Sequence, residues 1–122
     1  MKQILVVEDG QVELQVAVGL LTRAGFTVQA ADNAEDAWEW LQSNPPPDLI
    51  LLDIVMPGQS GLELCRTIRA QPELAEIPII FCSSKKEQFD RFWALRQGGT
   101  AYITKPYAPK ELLELVSKHL GD

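Results

Sequence analysis

Three short stretches of this chain are apolar at every consecutive position: Ile4-Leu5-Val6-Val7, Ile50-Leu51-Leu52 and Ile79-Ile80-Phe81-Cys82. A strand with one solvated face alternates apolar and polar residues, whereas a strand covered on both faces need not, so these runs point to the interior of a parallel sheet. Thr27 to Ala30 and Ala101 to Thr104 are weaker and supply two further strands. Between the strands the period changes. Leu14, Ala17, Val18 and Leu21 fall at i, i+3, i+4 and i+7, one stripe of a helix ending near Gly25. Leu112, Leu115, Val116 and Leu120 repeat the helical spacing, with Pro109 suited to the first turn. Ser43-Asn44-Pro45-Pro46-Pro47, Gly58 with Gly61, and Gly98-Gly99 break the helical pattern. The alternation implies an α/β fold: a doubly wound, five-stranded parallel sheet with right-handed crossovers and helices on both faces. At 122 residues it is expected to form one domain, 1–122, with no effector domain.

Charge narrows the choice of partners. Eleven Lys and Arg against seventeen Asp and Glu leave −6, which argues against nucleic acid and anionic membrane and for cations or basic partners. Cys65 and Cys82 stand within apolar stretches without CxxC spacing, and read as buried free thiols of a reducing cytoplasm rather than a disulfide or metal pair. The first apolar run stops at Glu8-Asp9, too short for an export signal or membrane insertion, so a cytoplasmic location is expected.

In an open parallel sheet the functional crevice lies at the carboxyl ends of the strands. Glu8 and Asp9 close the first strand, Asp53 the third, Ser83 the fourth and Lys105 the fifth. Three carboxylates gathered at one edge repel one another unless a hard divalent cation with oxygen ligands joins them, and Mg²⁺ suits that role. Asp53 would then be free to attack phosphorus, with Ser83 and Lys105 available to the phosphoryl oxygens. Taken singly, each residue has a plainer reading: an Asp after a strand caps a helix, Ser83 caps the next one, and a lysine before proline is ordinary. Their coincidence at four strand ends outweighs those readings. Trp38, Trp40, Phe89 and Trp93 are expected to pack wholly or partly into the core, Phe89 against Trp93 at i, i+4. His119 is expected to complement the dipole of the last helix.

Glu8-Asp9, Leu52-Asp53-Ile54-Val55-Met56-Pro57-Gly58 with Gly61, Pro78-Ile79-Ile80-Phe81-Cys82-Ser83-Ser84 and Ala101-Tyr102-Ile103-Thr104-Lys105-Pro106-Tyr107 resemble the response-regulator receiver family over essentially the whole chain. The resemblance implies a CheY-like, flavodoxin-like sheet of order 2-1-3-4-5, with helices 1 and 5 on one face and 2, 3 and 4 on the other. It implies Asp53 as phosphoacceptor and Mg²⁺ held by Glu8, Asp9, Asp53 and the Val55 backbone carbonyl. It makes Ser83 the switch hydroxyl, Tyr102 the switch aromatic and Lys105 the phosphate-pairing lysine before a cis Pro106. Val55 and Lys85 are placed beside the path of the water that hydrolyses the acyl phosphate. Tyr107, Ser83 and Gly10-Gln11 depart from the commoner residues without removing a reacting group.

The implied role is a phosphoacceptor switch rather than an enzyme. The implied partners are a sensor histidine kinase and a downstream protein read through the fourth helix, fifth strand and fifth helix, the chain itself being a monomer or weak homodimer. Cys82 through Trp93, continuing to Gly98, resembles stand-alone receivers of type IV pilus motility and phototaxis systems. A phosphate sink, a general chemotaxis receiver and a receiver fragment of a larger regulator are the alternatives. An aspartyl-phosphate phosphatase would want a second acid two residues after Asp53, where Val55 stands.

Overall fold

The computed structural model describes residues 1–121; Asp122 lies outside the described residues. Strand and helix alternate through β1 (Gln3–Val7), α1 (Gln11–Arg23), β2 (Thr27–Ala31), α2 (Ala34–Ser43), β3 (Leu49–Asp53), α3 (Gly61–Arg69), β4 (Ile79–Ser83), α4 (Gln88–Arg96), β5 (Ala101–Thr104) and α5 (Pro109–Leu120). The strands are all parallel and lie in the order β2-β1-β3-β4-β5. The three uninterrupted apolar runs became the three inner strands, while the weaker pair took the edges, where less apolar surface has to be covered.

Alternate residues of the inner strands feed two cores. Ile4, Val6, Leu49, Leu51, Ile80 and Cys82 pack with Leu14 and Leu21 of α1 and Leu112 and Val116 of α5. Leu5, Val7, Ile50, Leu52, Ile79 and Phe81 pack on the other face with residues of α2 and α3 and with Ala94 of α4. The expected helix faces follow from this period-two alternation. Local signals set the ends. Asn33 caps α2 by accepting the Asp36 N–H, Ser60 and Glu63 form a reciprocal capping box on α3, and Pro109 opens α5.

Both cysteines are free and buried, and burial pushes the thiol of Cys65 up to about 11 and that of Cys82 up to about 12. Trp38 and Trp40 pack partly buried against the core, as expected. His119 lies in the last turn of α5 beside Lys118.

The expectation for α4 needs correction. Phe89 and Trp93 are 70% and 49% exposed rather than packed into the core. Their i, i+4 spacing does place them on one stripe, but the residue of α4 turned to the sheet is Ala94, which lies on another.

Candidate functional site

The chain departs from β1 in one direction to β2 and in the other to β3, and the crevice between the carboxyl ends of β1 and β3 collects the polar strand-end residues. Glu8 and Asp9 directly follow β1, Asp53 and Ser83 are the last residues of β3 and β4, and Lys105 directly follows β5. One carboxylate oxygen from each of Glu8, Asp9 and Asp53 lies within 4.8 Å of the others. Glu8 and Asp53 are 6% and 5% exposed, so their charges cannot be dispersed into water.

Lys105 answers them. Its Nζ donates to Glu8 Oε1 at 2.5 Å and stands 3.4 Å from Asp53 Oδ1. The Gly10 N–H donates to the other Glu8 oxygen at 3.0 Å. Burial, followed by the Glu8 charge, pushes the Asp53 carboxyl up to about 7 against the lowering pull of Lys105. Burial also works against the Lys105 ammonium, but the hydrogen bond to Glu8 and the charges of Asp53 and Glu8 outweigh it and hold its pKa above the ordinary value. One ammonium therefore serves two buried carboxylates and a third nearby, leaving the edge short of positive charge.

The donor set is all hard oxygen, which suits Mg²⁺. Octahedral ligands at ~2.1 Å from the ion sit roughly 3 to 4 Å from one another, so small side-chain rotations bring the three carboxylates to that spacing.

Ser83, Lys85 and Tyr102 are linked to one another at the turn after β4. The Ser83 Oγ accepts the Lys85 N–H at 3.1 Å, and the Tyr102 hydroxyl donates to the Lys85 carbonyl at 2.5 Å. The turn after β4 is thus tied to the fourth strand through Ser83 and to the fifth through Tyr102. Val55 and Lys85 line a groove of about 310 Å³ between the β3–α3 loop and α4. The two capping readings fail: α3 is capped by Ser60, not Asp53, and Ser83 caps no helix, since α4 begins after Glu87 without a side-chain cap.

The family pattern of the response regulator receiver domain matches residues 4–117. The chain belongs to that family. The receiver is 34% identical over 121 residues to Protein PilH of Pseudomonas aeruginosa, covering 99% of both chains. It also matches several transcriptional regulatory proteins, of whose length it spans about half. Among solved structures it resembles a response regulator from Chloroflexus aurantiacus with a TM-score of 0.94 at 26% identity, over 99% of this chain and 98% of that one. It also resembles the receiver domain of a Pseudomonas aeruginosa sensor histidine kinase with a magnesium ion coordinated in its active-site cleft. There the TM-score is 0.90 at 30% identity, over 99% of this chain and 98% of that one.

Two features that shape the receiver's site were hidden in its sequence. Gly61 reads as a helix breaker and as part of the receiver-like motif, neither of which discloses its contact: it is the first residue of α3, and a Cβ there would stand 2.0 Å from the Asp53 carbonyl oxygen. Its N–H donates to the Ile54 carbonyl at 2.9 Å, closing the loop over the end of β3. Glu35, at the start of α2, accepts the Gln59 N–H at 3.2 Å and ties the same loop to the neighbouring helix. Gly61→Ala is therefore expected to cost the receiver at least ~2 kcal/mol and to displace the Asp53 backbone. Urea unfolding and Mg²⁺ titration would both register it, and an unchanged protein would show that the loop yields freely.

Proposed function

We propose that this receiver, formed by residues 1–122 as one unit, accepts a phosphoryl group on Asp53 from a sensor histidine kinase. It passes the signal to a downstream protein through α4, β5 and α5. The observation that carries this reading is the buried Asp53 carboxylate standing beside Glu8, Asp9 and Lys105 at the open edge of the sheet. An Asp53 oxygen attacks phosphorus, the new P–O bond forms as the donor's P–N bond breaks, and the imidazole leaves carrying its proton. Bound Mg²⁺, held by Glu8, Asp9, Asp53 and the Val55 carbonyl, supplies neutralising charge for the transferring oxygens. Lys105 exchanges Glu8 for one phosphoryl oxygen, and the Ser83 hydroxyl donates to another. The protein performs this chemistry only on itself and is a switch rather than an enzyme.

Tyr102 already lies buried in this structure, so the signal does not need it to swing in from solvent. Drawing the Ser83 hydroxyl toward the phosphoryl group removes the acceptor of the Lys85 N–H, and the turn that also holds Tyr102 is freed to rearrange.

Resemblance to stand-alone receivers of pilus motility and phototaxis, with the identity to PilH over almost the whole of both chains, favours an output in surface motility. No helix among the described residues is long and apolar enough to cross a membrane; we place the receiver in the cytoplasm, as a monomer or weak homodimer. The deciding experiment is a mass spectrum after incubation with acetyl phosphate. One phosphoryl group is expected with Mg²⁺, and none with a chelator or in Asp53→Asn. Labelling that survives either change defeats the assignment.

Lifetime is the next measurement. Val55 has no group to orient a hydrolytic water, and the exposed Lys85 lines the adjoining groove. Val55→Asn is expected to shorten the life of phosphoryl-Asp53 several-fold, and Lys85→Ala to change it measurably. Equal decay in all three proteins would place control with Ser83 and Lys105 instead.

A further inference from the structure

β2 closes one edge of the sheet, and among the described residues no strand pairs with its outer side. Two bonds toward β1 fix the direction of its backbone groups. The Thr27 N–H donates to the Lys2 carbonyl at 3.0 Å, and the Ala31 carbonyl accepts the Glu8 N–H at 3.1 Å. By the period of two, Val28 and Ala30 turn their N–H and C=O groups outward. The Ala30 carbonyl is met there by the side chain of its own neighbour, Gln29, at a long 3.3 Å. Ala30 itself is exposed.

A groove of about 510 Å³ follows this edge, between Leu14 of α1 and Asp36, Glu39 and Trp40 of α2, with Gln29 and Ala30 of β2 between them. Charge singles out the occupant. Asp32, Asp36 and Glu39 line the groove, and no lysine or arginine does. Neutral amides answer two of these acids: the Asn33 side chain donates to both Asp32 and Asp36, at 2.9 and 3.0 Å, and Gln11 reaches Asp32 at 3.4 Å. None of the three takes part in an ion pair among the described residues. Lys2 lies beside Thr27 at the amino end of β2, whereas Asp32 directly follows its carboxyl end. A second copy would bring three more acids to the contact, in a chain already at −6. Acids beside an edge strand deter such self-pairing, and the same charge admits a basic strand.

We propose that the outer edge of β2 is a docking site for a basic, extended segment of a partner protein. The segment adds to the sheet as a sixth strand, its backbone paired with Val28 and Ala30. Its Lys or Arg side chains meet Asp32, Asp36 and Glu39, and an apolar side chain covers the half-buried Trp40. β2 and β5 are opposite edges of the sheet, so this site is separate from the α4–β5–α5 surface, and it does not depend on Asp53 as acceptor.

The test is to pan a displayed random-peptide library against the unphosphorylated receiver and to measure the selected peptides by fluorescence anisotropy. The expected winners alternate Lys or Arg with apolar residues, and added salt weakens them. Asp36→Asn with Glu39→Gln is expected to weaken their binding roughly tenfold or more. Glu73→Gln with Glu76→Gln, the same change of charge on exposed acids after α3, leaves it unchanged. All four side chains are exposed, and circular dichroism verifies that each variant folds. Bound peptide should slow hydrogen exchange at the Val28 and Ala30 amides. Methylating one alternate set of peptide amides should abolish binding, and methylating the other set should not. No winners, acidic or patternless winners, binding indifferent to Asp36 and Glu39, or unprotected Val28 and Ala30 amides overturn the proposal. Spermine matching the peptides in affinity would assign the acids to diffuse counter-ions, and protection of Ala30 on raising protein concentration alone would assign the edge to a second copy; either overturns it. Failure of Asp53 to be phosphorylated, read by mass, leaves these outcomes intact.

Discussion

Asp53→Asn is expected to stabilise the metal-free protein at about pH 8, by on the order of 1–4 kcal/mol, while ending phosphorylation. Asp53 and Glu8 are both buried and lean on one ammonium, and removing one of the two charges relieves the excess. The pH dependence carries the sign. The folded pKa of about 7 lies above the ordinary 3.8, so the folded state holds this proton more tightly than the unfolded one. The stability it contributes is fully present below about pH 4, is lost as pH rises toward 7, and stays lost above. Asn does not titrate, so the difference between the two proteins should open across that window and close in acid. Mg²⁺ should stabilise the wild type at about pH 8 and the variant much less. Urea unfolding in chelator and in Mg²⁺, at several pH values, reads all three effects; parallel pH profiles would mean that Asp53 is not the strained carboxyl.

Lys105→Ala works in the opposite direction. Its loss leaves Glu8 and Asp53 without their shared counter-charge, and a cost of about 3–5 kcal/mol is expected in metal-free protein at about pH 8. Because the folded pKa of Lys105 is raised, its contribution is fully present below the ordinary 10.5 and undiminished at neutral pH. The deficit should shrink near pH 5, where a buried carboxyl takes up a proton, and shrink again in Mg²⁺. Lys105→Arg, which keeps the charge, should recover much of the loss. A deficit independent of both pH and metal would point to packing rather than charge.

The legible part of this molecule was the part governed by period and by strand ends. Continuous apolar runs marked the inner strands, and Glu8, Asp9, Asp53 and Ser83 at their carboxyl ends, with Lys105 after the weaker edge strand β5, followed from where the strands must stop. Illegible features depend on which atoms approach across space. The close pass of Gly61 over the Asp53 carbonyl and the Glu35 contact with Gln59 leave no periodic trace. Phe89 and Trp93 misled for a related reason: spacing says which residues share a stripe, not which stripe meets the sheet. Ala94, the smallest candidate, took that place because the layer between α4 and the sheet is filled from below by large strand residues such as Phe81.

The anchoring of α4 has a consequence for time rather than for shape. It buries a single residue where α1 and α2 bury three each and α3 four, and its first turn lacks a side-chain cap. Freeing it therefore requires only a fraction of the free energy that holds the whole molecule, and the helix should loosen and re-form many times for each global unfolding. A segment with so short a memory of its own position makes a fast reporter. The slow clock of the signal would then be the acyl phosphate, with the helix following it at every moment as an equilibrium already in motion.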